Sequence, residues 1–469
     1  MNEKEAKAQL WQMGVIGAWY LYDYQLPVYY HLRGHRYPLL ETTRRFGKTT
    51  TDLVVALEDL IRNPGWVWRW CEPWKDQARK IVMPAMDALQ ETCPPAFRFK
   101  FYRTDSFYAN RFDSKLYLLG VNEDKGESAR GSFSNGITAD ELGSWAEPSY
   151  ILNEVLRPQL LTTGGPLHEL STPPDDLGHF WYEEKARAIN DGRFLQKTIN
   201  DVDTISDAEK ASMCAAVGGP QSPAWRREFL CEPVADPERL VIPEYDPNRH
   251  VIDNDTGRPA YFTPYVGLDL GFNDHTAALF GYFDFAAQTL IIEDELLVRG
   301  ENSEQIANQA KAKEAALWGT LAKEPFRVGD NDRQQLHDLL TMCNYAVLPT
   351  RKDDKLAAIT ALRLRFTQGK IKIKARCESL LYQLKVGLWN ERRTDFLRGE
   401  KTGHLDAIDA LIYLSRNVNE HLNPFPQYGP EVIPQTHWIN PSGASSEDAD
   451  ALSRAFRPLG STGGRLGRS

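Results

Sequence analysis

The chain has 469 residues, 42% of them hydrophobic, and a formal net charge of −9. That length exceeds one ordinary core and points to about two to four domains. The acidic balance argues against a protein that coats nucleic acid over its whole surface, while leaving room for one local basic channel.

No apolar run is long enough to span a bilayer, and the opening MNEKEAKAQLWQMG is too charged for a signal peptide, so a cytosolic protein is expected. Six scattered cysteines, Cys71, Cys93, Cys214, Cys231, Cys343 and Cys377, form no C-x-x-C pair. They indicate neither a zinc site nor a disulfide framework.

In chain order, LYDYQLPVYYHL first sets Gln25 between aromatic and apolar residues, which suits an amide reading an adenine edge. RYPLLE then predicts a short buried strand, and TDLVVALEDLIRN predicts a helix from its apolar spacing. Between them lies ETTRRFGKTT. Strand, glycine-lysine loop and helix form the context of a phosphate-binding loop, in which backbone N–H groups and the helix N-terminus face the phosphates. Lys48 would neutralise the β and γ oxygens of ATP, and Thr49 would ligate Mg²⁺. The head of the loop departs from G-x-x-x-x-G-K-[ST]: Thr42 stands for the first glycine, and Arg44 and Arg45 lie inside it. Gly47-Lys48-Thr49-Thr50 alone also occurs by chance at helix starts. Further on, SNGITADE predicts a strand ending in Asp140 and Glu141. The first carboxylate would hold Mg²⁺ through water and the second would polarise the attacking water; the competing reading is an exposed acidic turn. Arg130-Gly131 lies just upstream.

These motifs, in this order, resemble the large terminase subunit of tailed bacteriophages, a motor-nuclease that packages viral DNA. In that family the first glycine is often missing and an arginine precedes the lysine by four residues, here Arg44. The resemblance implies that Gln25 reads adenine, that Asp140 holds Mg²⁺, and that Glu141 is the catalytic glutamate. It implies that Arg130 stands where some members carry an arginine finger reaching a neighbouring subunit; pairing with Glu127 is the alternative. GWVWRWCEPWKDQARKI resembles the second strand and helix, with Pro73, Gln77 and Ala78 in the family pattern. Ser171-Thr172-Pro173 resembles the coupling motif, and WRREFLCEPV the segment that closes the ATPase domain.

DPERLVIPEYDPNRHVIDNDTGRP, rich in Pro, Asp and Asn, predicts a linker. YVGLDLGFNDHTAALFGYFD follows, with Asp269 inside an alternating strand. An acid in the first strand of a β-meander opens an RNase H-like nuclease. PFRVGDNDRQQLHDLL gives a strand end with Asp330, then Asp332 at a helix start. KTGHLDAIDALIYLSRNV puts Asp406 and Asp409 on one helix face, with Leu405, Ile408, Leu411 and Ile412 on the buried side. Phosphodiester hydrolysis with two Mg²⁺ or Mn²⁺ needs carboxylates converging from separate elements. Asp269, Asp330 and Asp406 meet that need, with Asp409 a candidate fourth ligand; for each acid singly a helix cap is the ordinary role. The terminases share the H-x-D-x-x-D-A-L run from His404 to Leu411. Basic residues fit for phosphate contacts are Arg351, Lys352 and Lys355, then Arg392, Arg393, Arg398 and Lys401. Lys370, Lys372, Lys374 and Arg376 fit equally as a solvated charged face.

The expected architecture is α/β. A parallel-sheet P-loop (RecA/ASCE-like) ATPase domain covers residues 1–235 and a linker 236–262. An RNase H-like nuclease domain covers 263–422, with a flexible tail from 423. The resemblance implies ATP-driven translocation of double-stranded DNA into a procapsid and cleavage of concatemers. Implied partners are a small terminase subunit, the portal protein and sibling subunits in a ring; the implied location is the host cytoplasm during assembly, outside the mature virion. The rivals are a helicase-nuclease of DNA repair or recombination and a DNA-binding structural protein with a dead nucleotide site.

Overall fold

The computed structural model describes residues 3–131, 133–271, 275–319, 324–351, 353–390, 392–398 and 404–426. Residues 1–422 form one compact unit, and the chain from Asn423 is a second. Among the described residues no helix is long and apolar enough to cross a membrane.

The first unit is built on two sheets. The first holds β1 (Leu39–Thr42), β2 (Val67–Glu72), β3 (Lys100–Tyr102), β4 (Phe107–Ala109), β5 (Lys115–Gly120), β6 (Gly136–Ala139), β7 (Leu167–Ser171) and β8 (Phe194–Lys197). Their order is β3-β4-β5-β2-β6-β7-β1-β8. From β5 to β8 every neighbouring pair is parallel, while β3 and β4 form an antiparallel edge. Inserting β7 between β1 and β6 is the strand order of a P-loop ATPase core, and it opens a crevice beyond the strand ends. The Lys48–Arg62 helix leaves β1 and buries Leu53, Val54, Leu57 and Leu60 against the sheet. Asp52 on the same helix is wholly buried: Thr138 of β6 donates to it at 2.6 Å, and His168 of β7 pairs with its other oxygen. β7 also carries Glu169, buried beside Glu184, with Arg157 2.9 Å and 3.0 Å from the two and Arg193 3.4 Å from Glu169.

The second sheet holds β9 (Val251–Ile252), β10 (Thr263–Asp269), β11 (His275–Asp284), β12 (Thr289–Arg299), β13 (Phe326–Gly329), β14 (Leu348–Pro349) and β15 (Ile371–Lys374). The order is β14-β13-β10-β11-β12-β15-β9. An antiparallel meander, β10 to β12, is flanked by β13 and β14 parallel to β10; this is the RNase H-like arrangement. The Asp406–Asn417 helix lies across β10. Gly267 makes that approach possible, because a Cβ there would stand 2.5 Å from the Ala410 carbonyl and 2.6 Å from Leu414 Cβ.

The expected linker differs from what is seen. Val241 and Ile242 are buried in the second core, and β9 pairs with β15 as an edge strand. A Pro- and Asp-rich composition hid two short apolar pieces that have a core to join. Arg239, in the same stretch, pairs with Asp175 beyond β7, and its carbonyl accepts the Trp389 N–H at 2.8 Å.

Candidate active sites

Beyond the ends of β1 and β6 a polar cleft of about 650 Å³ is lined by Arg44, Arg45, Lys48, Gln77, Glu141 and Thr172, among others. Gly47 precedes the helix at φ +89°, a left-handed conformation that glycine adopts without strain. Thr42 needs no such freedom. It is still strand, paired in register with Lys197 of β8, so the loop turns after it and a β-branched residue fits.

Lys48 Nζ lies 2.5 Å from Glu141 Oε1 and 3.7 Å from Asp140 Oδ1. The Thr49 hydroxyl donates to Asp140 Oδ2 at 2.9 Å, and Thr50 is half-buried in the same first turn. Residues some 90 positions apart are thus assembled by the sheet. Burial opposes charge on Lys48, but Asp140 and Glu141 hold it well above the ordinary lysine range. Burial pushes Asp140 up against the pull of Lys48. At Glu141 burial acts the same way, yet Lys48 prevails and holds the carboxyl below its usual value. Glu72, at the end of β2, is a carboxyl the sequence reading passed over. Burial and then Asp140 push it well above the ordinary range.

The remaining expected residues divide. Ser171 and Thr172 reach the site: Ser171 Oγ accepts the Gly143 N–H at 2.9 Å, and Thr172 Oγ1 is 3.5 Å from Glu141 Oε2. The Arg44 guanidinium bonds Glu228 at 2.5 Å, and Arg45 has φ +68°; both are exposed at the mouth. Gln25 is not presented to a base. Its amide is buried, with Oε1 accepting the Tyr22 N–H at 3.0 Å and Nε2 donating to the Phe46 carbonyl at 3.2 Å. It props the loop from behind. Arg130 lies outside the cleft lining. It pairs with Glu127 at 2.8 Å and donates to the Tyr150 hydroxyl at 2.5 Å.

In the second sheet a cleft of about 330 Å³ is lined by Asp269, Lys355, Asp395, His404, Asp406 and Asp409, with Arg416 at its edge. Asp269 ends β10 and Asp330 follows β13. The parallel register pairs Leu268 with Gly329, and the Asp330 N–H donates to the Leu268 carbonyl at 3.2 Å, so the two acids are side by side. Asp406 and Asp409 occupy the first turn of their helix, where negative charge suits the helix dipole. Burial, with Asp395 and Asp406 adding and Lys355 opposing, pushes the Asp409 carboxyl up to about 6. Burial, Asp269, Asp409 and Asp330 together push the Tyr413 hydroxyl up, a second sign that the acids converge. Asp332 is a helix cap, accepting the Gln334 and Gln335 N–H groups at 2.9 Å and 3.1 Å.

Lys355, expected on a DNA-facing surface, is instead the counter-ion of the acid cluster, 2.9 Å from Asp395 and 3.3 Å from Asp409. Asp395 was missed because it sits in an irregular hairpin among basic residues. Arg392 and Arg393 are exposed, with Arg393 donating to the Glu238 carbonyl at 2.9 Å. Lys352 and Lys401 lie outside the described residues. Lys374 belongs to no charged surface: it is buried on Glu293 at 3.0 Å, and Lys372 caps the Arg249 carbonyl at 2.5 Å.

Among the described residues no three His, Cys, Asp or Glu side chains stand close enough to hold a metal ion together. The donor chemistry still fits hard divalent cations, which take carboxylate oxygens: among the described residues lining the second cleft, four aspartates stand with Lys355 and Arg416. In the first, Thr49 and Asp140 supply a hydroxyl and a carboxylate.

No protein-family model matches the chain, and no curated protein matches its sequence. Solved structures do. The chain is similar to the large terminase of bacteriophage HK97 at TM-score 0.49 and 14% identity, over 88% of this chain and 99% of that one. It is similar to the large terminase of a thermophilic bacteriophage in complex with ADP, at TM-score 0.39 and 16% identity, over 83% and 98%. The P22 large terminase nuclease domain matches 38% of this chain and 92% of its own, at TM-score 0.32 and 16% identity.

Proposed function

We propose that the chain is the motor subunit of a viral DNA-packaging machine: an ATPase that drives double-stranded DNA into a procapsid, and a metal-dependent endonuclease that cuts the concatemer. The observation that carries the first half is the assembly of Lys48 and Glu141 in one cleft lining, with the buried Asp140 3.7 Å from Lys48 and bonded by Thr49 just behind them. Lys48 bonds either Glu141 or a phosphate, so an arriving triphosphate competes for its ammonium and turns the Glu141 carboxylate toward a water. Thr172 ties that glutamate to the end of β7, and Ser171 ties Gly143, two residues on, to the same strand, a path by which the state of Glu141 reaches the rest of the sheet. Thr49 and Asp140 would hold Mg²⁺, which when bound neutralises phosphate charge.

The second half rests on the cleft of Asp269, Asp406 and Asp409 with neighbouring Asp330. These acids would hold one or two Mg²⁺ or Mn²⁺ ions, which when bound stabilise the attacking and leaving oxygens of a phosphodiester. Lys355 orients Asp409 and Asp395. The order of motifs along the chain, including Gln77 and Thr172 at the cleft, supports packaging over repair. A helicase-nuclease would need a second parallel-sheet motor domain, and the second half is a meander. A dead nucleotide site is disfavoured because its chemical groups are complete and brought together. The partners proposed are a small terminase subunit, the portal and sibling subunits, met in the host cytoplasm.

The test separates the clefts. Glu141→Gln should lose about 10²-fold or more in ATP hydrolysis while cutting plasmid in Mn²⁺ normally. Asp269→Ala should do the reverse. If Asp269→Ala in a folded protein stops ATP hydrolysis, the two-site reading fails.

A further inference from the structure

Glu72 closes β2. The register that pairs Cys71 with Ala139 makes it the cross-strand neighbour of Asp140, and the Asp140 N–H donates to the Cys71 carbonyl at 2.9 Å, holding the two strand ends level. Its side chain has no exposed surface. Oε1 accepts the Trp70 indole N–H at 3.2 Å, whereas Oε2 is buried with no hydrogen-bond partner. Buried polar atoms in folded proteins are nearly always satisfied, and an exception calls for a specific cause. Packing does not supply one here, since an apolar side chain would fill the space without an orphaned oxygen.

Glu72 stands behind the cleft rather than in its lining. Direct ligation of a metal is not what the arrangement offers, because no three acids stand close enough together among the described residues. Mg²⁺, however, is octahedral, gives up its water reluctantly and keeps several water ligands. Those waters need acceptors, and acceptors outside the first ligands set the orientation of a metal site. We propose that Glu72 is an outer positioning residue of the nucleotide site: its Oε2, closed off in this structure while Lys48 sits on Glu141 and Asp140, accepts a hydrogen bond from a water bound to the divalent ion that Thr49 and Asp140 hold once Lys48 has moved to the phosphates. The inference rests on the nucleotide reading of this cleft and deepens it. Glu72 touches neither nucleotide nor reacting atoms, so its effect falls on the metal first.

The experiment follows the metal directly. Manganese binding to the protein–ATPγS complex is titrated by electron paramagnetic resonance for wild type, Asp140→Ala, Glu72→Gln and Glu72→Met. Binding of a fluorescent ADP analogue in EDTA and thermal melting are recorded for each. Both Glu72 variants should bind the analogue and melt as wild type does, with manganese held about 10–100-fold more weakly. Manganese affinity within twofold of wild type in either folded Glu72 variant, while Asp140→Ala loses it, would overturn the proposal and leave the nucleotide site intact. If wild type takes up no manganese, or Asp140→Ala takes up as much, the nucleotide reading falls and the proposal with it. If neither Glu72 variant folds, the residue is structural only and the proposal is wrong.

Discussion

Gln25 shows how a side chain of the right type can be committed elsewhere. Both ends of its amide are bonded to backbone, one to its own turn and one to the loop carbonyl of Phe46. Removing it should loosen the loop without touching base selection. Gln25→Ala is therefore expected to raise KM for ATP and for GTP by the same factor; a change in the ATP-to-GTP ratio would return the amide to the base. Lys48 lies at the other extreme, wholly given to the site. Lys48→Ala should cost about 10²-fold or more in turnover, because Lys48 is the phosphate-loop cation bonded to Glu141 and 3.7 Å from Asp140, while Arg44 is bonded to Glu228. Retention of normal turnover would remove the loop from the mechanism.

Among the elements, β7 carries two buried ionisable groups, His168 on Asp52 and Glu169 beside Arg157 and Arg193. Burial, and then Glu184, push the Glu169 carboxyl up to about 7 against Arg157 and Arg193. Between the ordinary glutamate value near 4.3 and about 7 the folded protein holds a proton that the unfolded chain has released, so this group's contribution is present at low pH and lost as pH rises through 7. Thermal melts of Glu169→Gln should show a smaller fall in Tm from pH 5.5 to pH 7.5 than wild type. An unchanged slope would place the titration elsewhere. Elements such as β1 with its helix, β10 and the Asp406–Asn417 helix were legible in the sequence because their apolar periods are local. The acids at their ends followed from that. What stayed hidden is long-range. Lys374 looks like a surface lysine until Glu293, 81 residues away, is brought beside it. Lys355 looks basic until Asp395 and Asp409 surround it. Glu72 ends its strand as many exposed acids do, and only the register with β6 sets it next to Asp140.

At the scale of the whole molecule, Arg239 is one of the described groups that lie between the two clefts. Asp175, its partner, lines the nucleotide cleft. Trp389, bonded to its carbonyl, faces Phe396 across an antiparallel bridge, next to the Asp395 that lines the acid cleft. Neighbourhood alone does not establish coupling; a double-mutant cycle does. With plasmid cleavage measured with and without ATPγS, Arg239→Ala and Asp175→Ala should each bring the ratio of the two rates toward one, and the double variant should add nothing. Two independent, additive effects would rule the contact out as a link.

That joint is made of two unlike bonds. One is an ion pair with about a third of each side chain exposed, and the other is a backbone hydrogen bond. Dissolved salt screens the first and leaves the second largely alone. Ionic strength is therefore expected to act on the link alone: as salt rises, the ratio of plasmid cleavage rates with and without ATPγS should approach one, while each rate outlasts the loss of the ion pair.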